Sequence, residues 1–594
     1  PAGYGYVKYL DYRLNPEHPP LVKALAALPL IFQKLNFPID KFSWQIDING
    51  QWAAGAQFLY ESTPAGGQAG NDADKIIQWA RLGPMLLTLL LIIFIYIWSK
   101  ELIGRWWALL PTSLFAFSPA VLAHGHYVTT DVGAALGIFI AVYYFVKFLF
   151  EPSGKNLLFA GLVFGTAQLM KFSAVLLIPF FIFLMFVFYI WKTASDWRET
   201  AALTRFKRFL IRGFRYIRSL ALIFLIGYAL VYVVYFLFTV NYPVEKQSAD
   251  TEFILTSFAG GPDTNWENCR LNSDVALARR VRCLADINIW MAGNKFLRPL
   301  GEYMLGVLMV MQRSAGGNTA YFLGEVSAAG WWYYFPVVFL LKEPIPSLIL
   351  IGLALLLGFW SIIKKFKIQN SKFKFFMDYL GTHFPEFSML AFVVLYWLYS
   401  VKSPLNIGVR HLMPTMPFVY ILTAGAIRKL VSSGNFIKVF IKGLFIGILL
   451  IWYFGETLFA TPYYLSYFNQ FGGGIENGYR YVTDSNYDWG QDLKRLKEWA
   501  DKNLPAGRQV AIDYFGGGSP KYYLGEKAEY WQSSKNNPKY EGIDWLAISI
   551  NNLQGALGKL HPGQPRNPED EYRWLKNPYE PYARAGTSIF IYKF

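Results

Sequence analysis

The chain has 594 residues, a formal net charge of +16 and a mean hydropathy of +0.26, with 54% hydrophobic and 18% aromatic residues. Its apolar residues come in blocks of about 20, the length that crosses a bilayer as helix, which excludes an ordinary soluble enzyme and points to a polytopic membrane protein. The basic excess does not imply nucleic acid, because much of it lies in short stretches between apolar blocks, where lysine and arginine set orientation. Two cysteines are too few for a four-cysteine zinc or iron–sulfur site.

Residues 1–79 read as an external N-terminal segment. It holds Asn15-Pro-Glu-His-Pro-Pro-Leu21 and then an apolar stretch to Phe32, too short to span, with Lys23 near its start; this predicts a helix lying at the interface. Residues 80–457 form the membrane core, with spans expected at about 80–98, 106–122, 131–150, 156–170, 172–191, 219–240, 345–363, 386–402, 412–427 and 438–457. Two basic loops, 192–218 and 364–374, orient it. With both in the cytoplasm, the loops 123–130, 241–344 and 403–411 and both chain ends lie outside. An external N-terminus starting with Pro leads us to expect a first span upstream of Pro1.

Cys269 and Cys283 share the loop 241–344. They can pair in an oxidising compartment, closing a loop worth about 3 kcal/mol, or stay unpaired. Trp331–Leu341, stopped by Lys342-Glu-Pro-Ile-Pro346, predicts an interfacial helix. Residues 458–594 predict a small external α/β domain. It has a helix over Asp488–Asn503, capped by Asp488 with Gln491 three residues on, and strands at Gln509–Phe515, Trp545–Ile550 and Ser588–Tyr592.

With that orientation, the polar outliers gather on one side. Glu17 and His18 lie in the first segment; His124, His126 and Asp131 at the second mouth; Lys171 between two span ends; Arg410 and His411 in the loop 403–411. Four of the six histidines sit in these places, while His383 and His561 do not. Ionisable groups at a membrane edge are costly unless they face a cavity or a partner. A carboxylate can take a proton from an attacking hydroxyl, and lysine, arginine or imidazolium can stabilise a departing phosphate. Simpler readings stand beside this one. Thr130 or Asp131 can cap the following helix, Lys171 and Arg410 can snorkel to headgroups, and His18 before two prolines can be turn chemistry. Asp72-Ala-Asp74 resembles a nucleotide-sugar DxD but faces the wrong side, and the glycine runs 472–474 and 516–518 lack a phosphate-loop context and read as turns.

Several stretches together resemble bacterial members of glycosyltransferase family 39, the protein O-mannosyltransferase-like group of the GT-C superfamily, which is similar also to lipid A aminoarabinose transferases. They are Glu17-His-Pro-Pro-Leu-Val-Lys23, Thr130-Asp131, Lys171-Phe-Ser173, Gly330-Trp-Trp-Tyr-Tyr-Phe-Pro336 with Lys342-Glu-Pro344, and Asn406-Ile-Gly-Val-Arg-His411. Asp484-Ser-Asn-Tyr-Asp-Trp-Gly-Gln-Asp-Leu493 resembles a stretch found after the last span in a bacterial subgroup. The resemblance implies transfer of a sugar from a polyprenyl-phosphate donor to a hydroxyl acceptor, protein or envelope glycan or lipid, outside the plasma membrane and with inversion. It implies that Asp131 matches a second acidic position and that the primary base lies upstream of Pro1, with Asp11 and Glu17 the nearest acids here. It further implies that His18, Lys171, Arg410 and His411 bind the donor phosphate. His124, His126, Asp484 and Asp488 are candidate substrate contacts, and a divalent metal is an open option. Two rival readings are a lipid-linked-sugar transporter, which would need polar residues through the spans, and a non-catalytic envelope scaffold.

Overall fold

The computed structural model of the chain describes residues 1–61, 70–196, 202–259, 277–368, 372–561 and 565–594. It is mostly helical, and seven described helices are long and apolar enough to cross a membrane. Helix Thr130–Phe150 is the axis of the bundle: 83% of its apolar window is buried, against 17–39% for the other six. Small residues let its neighbours come close. Gly137 faces Ala167, and Gly165 lies against the backbone of Gly227, where a methyl group on either glycine would collide.

Three expected spans are shorter than the rest. Gly154–Met170 has 17 residues and Met416–Val431 has 16, the latter led in by a 3₁₀ turn over Val409–Thr415. The expected span 106–122 is two helices, Leu109–Ala116 and Pro119–His124. The break has a local cause: Ser118 precedes a proline and is held extended (φ −63°, ψ 125°). Contacts at helix ends still show these segments returning across the bundle. The Thr88 hydroxyl, early in Leu82–Ile103, donates to the Gly125 carbonyl at 2.8 Å, so the broken segment runs back to where its predecessor began. Tyr143, late in Thr130–Phe150, donates to Glu101 at the far end of Leu82–Ile103 (2.8 Å). Lys171, just past Gly154–Met170, reaches Asp131 at the start of Thr130–Phe150.

The basic stretches correct the sequence reading. They are helix rather than loop: Ala202–Phe238 runs for 37 residues, about 55 Å, and so projects beyond a hydrocarbon layer about 30 Å thick. Its first turns carry Lys207, Arg208, Arg212, Arg215 and Arg218, on the face opposite Asp131. Ile345–Ile368 and Lys372–Lys402 likewise extend into the second basic stretch. Residues 197–201 and 369–371 of those stretches, with Cys269, lie outside the described residues; Cys283 is disulfide-bonded.

On the Asp131 face the N-terminal segment folds over the bundle. Lys23 is turned inward, donating to the carbonyls of Asn15 (3.0 Å) and His18 (2.8 Å) and to the Tyr6 hydroxyl (3.0 Å), so it fixes the loop that carries Glu17 and His18. Exposed Phe32 and Trp52 suit the expected contact with the interface. A hairpin, β1 (Ala320–Phe322) and β2 (Glu325–Ser327), follows the helix Arg298–Gly316. The C-terminal region contains β3 (Val510–Asp513), β4 (Ala528–Tyr530), β5 (Trp545–Ser549), β6 (Lys559–Leu560), β7 (Ala583–Ala585) and β8 (Ile589–Lys593). Five of them form a sheet of order β4-β3-β5-β8-β7, while β6 pairs in parallel with β2 and ties the C-terminal region to the external loop. The three expected strands are β3, β5 and β8; the others are two or three residues long. The expected helix at 488–503 begins only at Leu493. Asp488 instead bonds the amides of Gly490 (3.2 Å) and Asn551 (3.1 Å), because the chain turns at Gly490 (φ 77°), packed against Gly516 and the Tyr514 hydroxyl.

The interfacial helix Tyr334–Lys342 ends in a residue that joins core and external region. The buried Lys342 ammonium donates to the carbonyls of Leu465 (2.7 Å) and Asn486 (2.6 Å). Lys342→Met leaves both acceptors without a donor, at about 1–3 kcal/mol each. We expect it to lower the melting temperature of the detergent-solubilised protein and to open residues 458–594 to protease; an unchanged melt and digest would contradict this anchoring role.

Candidate active site

Asp131 stands at the head of the axial helix, buried, with its two oxygens in different hands. Oδ1 accepts from Lys171 Nζ at 2.6 Å and Oδ2 from Arg410 Nη1 at 3.3 Å. Lys171 is held there by the switch from helix Gly154–Met170 to a 3₁₀ turn over Phe172–Leu176. Arg410 is held by the turn after Gly408, whose neighbours are fixed from outside: Val409 N donates to Asn486 Oδ1 (2.9 Å) and Ser485 Oγ to the Ile407 carbonyl (2.5 Å). The capping role is not what the structure shows. Thr129 is the N-cap, without a side-chain bond, and Asp131 spends its oxygens on the two cations.

Each carboxylate oxygen of Asp131 is thus already engaged by a cation. Asp131 therefore suits an anchor that aligns Lys171 and Arg410 better than it suits a general base. The trio keeps one positive charge in excess. Arg410 also lays its guanidinium over the Trp489 ring at 4.2 Å, and its buried Nε has no hydrogen-bond partner among the described residues. Orphaned buried donors are rare in folded proteins, and such a group calls for a partner such as water, an ion or a ligand.

Other predicted residues collect around this trio. The charges of Lys171, Arg410, Asp131 and Arg313 all reach the His411 ring, and those of Lys171, Asp131 and Arg313 reach His18. Burial, reinforced by these cations, holds His411 well below the ordinary histidine range and His18 at about 3. Both rings are therefore neutral at pH 7 and serve as hydrogen-bonding groups, not as the imidazolium expected from the sequence. Arg313, which the sequence reading passed over, ion-pairs with Glu17. Only its place at the outer end of helix Arg298–Gly316 hinted at it, and an arginine there reads as a solvated face.

His124 is buried, its Nδ1 without a partner among the described residues and its ring 6.0 Å from that of Trp489. Asp484 feels the charge of Arg410 but donates its amide to Asn551 Oδ1 (2.9 Å), at the edge of the external region. Two candidates stand apart. His126 turns its Nδ1 to the Leu122 carbonyl (3.0 Å), and Asp488 is consumed in backbone bonds that shape the external region. Asp72 caps the helix Ala73–Ala80 and Asp74 ion-pairs with Lys494 at 2.6 Å, so Asp72-Ala-Asp74 has structural work. Among the described residues no group of three or more histidine, cysteine, aspartate or glutamate side chains is placed to hold a metal ion.

Residues 74–204, which include Asp131 and Lys171, match the family described as dolichyl-phosphate-mannose-protein mannosyltransferase. No curated protein matches the chain. Among solved structures, the chain is similar to the Archaeoglobus fulgidus oligosaccharyltransferase in the apo form, at 11% identity and a TM-score of 0.41, covering 94% of this chain and 66% of that one. It is similar also to ArnT from Cupriavidus metallidurans bound to undecaprenyl phosphate, at 11% identity and a TM-score of 0.39, covering 92% of this chain and 87% of that one. The chain is thus a multi-pass membrane protein that, over residues 74–204, resembles the dolichyl-phosphate-mannose-protein mannosyltransferases.

Proposed function

We propose that the chain is a membrane glycosyltransferase that moves a sugar from a polyprenyl-phosphate-linked donor to a hydroxyl acceptor on the extracytoplasmic face of the plasma membrane, with inversion. The observation that carries this reading is the Asp131 trio: two cations aligned by one carboxylate, with the Arg410 Nε left unbonded, at the head of a membrane helix. A phosphate on a lipid fits there, because its tail stays in hydrocarbon while its charge meets fixed donors. The acceptor oxygen attacks the anomeric carbon from the side opposite the phosphate, and the bond from that carbon to the phosphate oxygen breaks. The electron pair leaves on the phosphate, toward Lys171 and Arg410, and the hydroxyl proton passes to a carboxylate. Asp131 gives both oxygens to its two cations; Glu17, next to His18, meets one cation, Arg313, through Oε1, and is the acid of this cluster suited to receive it. The family match over residues 74–204 supports the reading, as does the gathering of polar residues at one face, which disfavours a transporter.

Orientation follows from charge. The basic turns of Ala202–Phe238 lie opposite the trio, and under the positive-inside rule this supports an external trio. An impermeant thiol reagent should label Tyr540→Cys, in the external region, and spare Lys207→Cys when the inner membrane is intact. Labelling at 207 with sparing at 540 would invert the orientation.

Charge on the leaving phosphate develops as its bond to the sugar breaks, so the two cations act mainly on the chemical step. Lys171→Ala or Arg410→Ala should lower turnover about 10²–10³-fold, beyond any loss of donor binding. Asp131→Asn should impair turnover comparably in a folded protein, because both cations lose their anchor. Near-normal transfer by Asp131→Asn would remove the trio from the mechanism.

The neutrality of His18 and His411 makes a further prediction. Between pH 6 and 8 the rate should show no inflection assignable to either ring, and His18→Asn should leave the profile shape unchanged. An inflection near 6.5 lost in that variant would show that His18 titrates during the reaction.

A further inference from the structure

A second polar site lies outside the trio, in a cavity of about 470 Å³ between the C-terminal sheet and the hairpin β1-β2. That volume is in the range of small-molecule pockets, about 300–1,000 Å³. Its floor is the carboxyl edge of three parallel strands, where ligands of α/β sheets gather. Asp513 ends β3, Gln532 follows β4, and Asn552 follows β5. Tyr321 of the hairpin and Tyr572 form aromatic walls.

The lining selects a ligand class. Asp484, Asp513 and Asp570 bring three carboxylates against the single guanidinium of Arg566, which is already occupied by Glu571 (3.3 Å) and the carbonyls of Gly555 and Gly558. That balance repels phosphate and other anions. The described acids are not grouped to hold a metal ion. A pocket rich in carboxylate, amide and phenol groups is also poor in the apolar surface that binds greasy ligands. Mixed donors and acceptors beside aromatic faces suit a neutral polyol. Gln532 and Asp570 have no side-chain partner among the described residues, so they are free to bond it.

The position of the cavity gives this chemistry a purpose. Asp484 lines it, and the next two residues, Ser485 and Asn486, hold the loop that ends in Arg410. Asp484 itself adopts a left-handed conformation (φ 54°), with its amide bonded to Asn551 Oδ1. One end of the cavity is thus one residue from the elements that build the phosphate-binding cluster.

We propose that this cavity binds a neutral sugar or short glycan as the acceptor of the transfer reaction, with Gln532 and Asp570 bonding its hydroxyls beside Asp513, whose two oxygens already accept from Asn552 (2.7 Å) and the Tyr572 hydroxyl (2.7 Å) and so hold that wall in place. The role as acceptor site rests on the glycosyltransferase reading above; the binding of neutral glycan does not. A peptide acceptor is disfavoured because peptide segments are taken up along strand edges or in apolar grooves, and this cavity offers polar side chains at strand ends.

The test uses the full chain in detergent and a panel of neutral di- to tetrasaccharides of glucose, mannose, galactose and N-acetylglucosamine. Gly555→Trp is chosen to fill the cavity, because Gly555 lines it and a Cβ added there has open space around it. Gln532→Ala removes one free bonding group and breaks no side-chain hydrogen bond among the described residues. We expect at least one glycan to bind the wild type, binding to drop 10-fold or more in Gly555→Trp and several-fold in Gln532→Ala, and binding of undecaprenyl phosphate to be unchanged in both. In the transfer assay the acceptor KM should rise while hydrolysis of the donor in the absence of acceptor persists. Three results would overturn the proposal: no glycan binding by the wild type, binding indifferent to both variants, or transfer to a serine- or threonine-containing peptide that neither variant affects. Glycan binding that responds to the variants in a protein without transfer activity would uphold the site and overturn the enzymatic reading instead.

Discussion

A carboxylate buried at the head of a membrane helix has to be balanced by charge, and Asp131 is balanced twice. Its partners come from positions 40 and 279 residues along the chain, so one side chain fixes three segments relative to each other. Removing one partner of a buried ion pair commonly costs about 3–5 kcal/mol, because the remaining charge is left unpaired in a poor solvent. Here the arrangement does more than hold the fold. Two cations on one anion leave a positive surplus, and the geometry leaves a guanidinium nitrogen unbonded. The contact that holds the fold is thus also the one on which the proposed phosphate binding rests.

The rest of the molecule on that face serves to hold the cluster. Lys23 fixes the loop of Glu17 and His18 through backbone carbonyls. Lys342 pins the stretch before Tyr487, and Ser485 and Asn486 in that stretch pin the loop of Arg410. Trp489 then covers the guanidinium. The run Asp484–Leu493 is therefore the seam between membrane core and external sheet: its first residues face the cluster, and Asp492 accepts from the amides of Thr587 and Ser588 inside the external region. Such a seam lets the cavity beside the C-terminal sheet and the Asp131 cluster keep a constant separation.

Much of this was legible before any coordinates. Apolar blocks announced the membrane core, and orienting them gathered Glu17, His18, Lys171, Arg410 and Asp131 at one face. Alternation picked out β3, β5 and β8. What escaped has physical reasons. Lysine and arginine are good helix formers, so the basic stretch at 202–218 could be loop or helix by composition, and helix won. The interruption at Phe117–Ser118 was readable from Pro119 but was outweighed by the apolar character of its surroundings. The late start of helix Leu493–Asn503 depends on a turn at Gly490 set by contacts with Tyr514 and Gly516, which local sequence does not encode. Arg313 and the inward turn of Lys23 and Lys342 depend on partners far away in the chain. The same limit applies to the part played by Asp131: sequence could mark it as an outlying acid, but only its two contacts separate an anchor from a cap or a base.

The account stands or falls on where a lipid-linked phosphate sits. The direct measurement is a structure of the full chain with bound undecaprenyl phosphate. The account predicts the phosphate within hydrogen-bond distance of Lys171 Nζ and Arg410 Nε, with the Asp131 contacts retained and the polyprenyl chain leaving between helices into the bilayer. A phosphate bound away from both cations, or at the basic turns of Ala202–Phe238 on the opposite face, would contradict it.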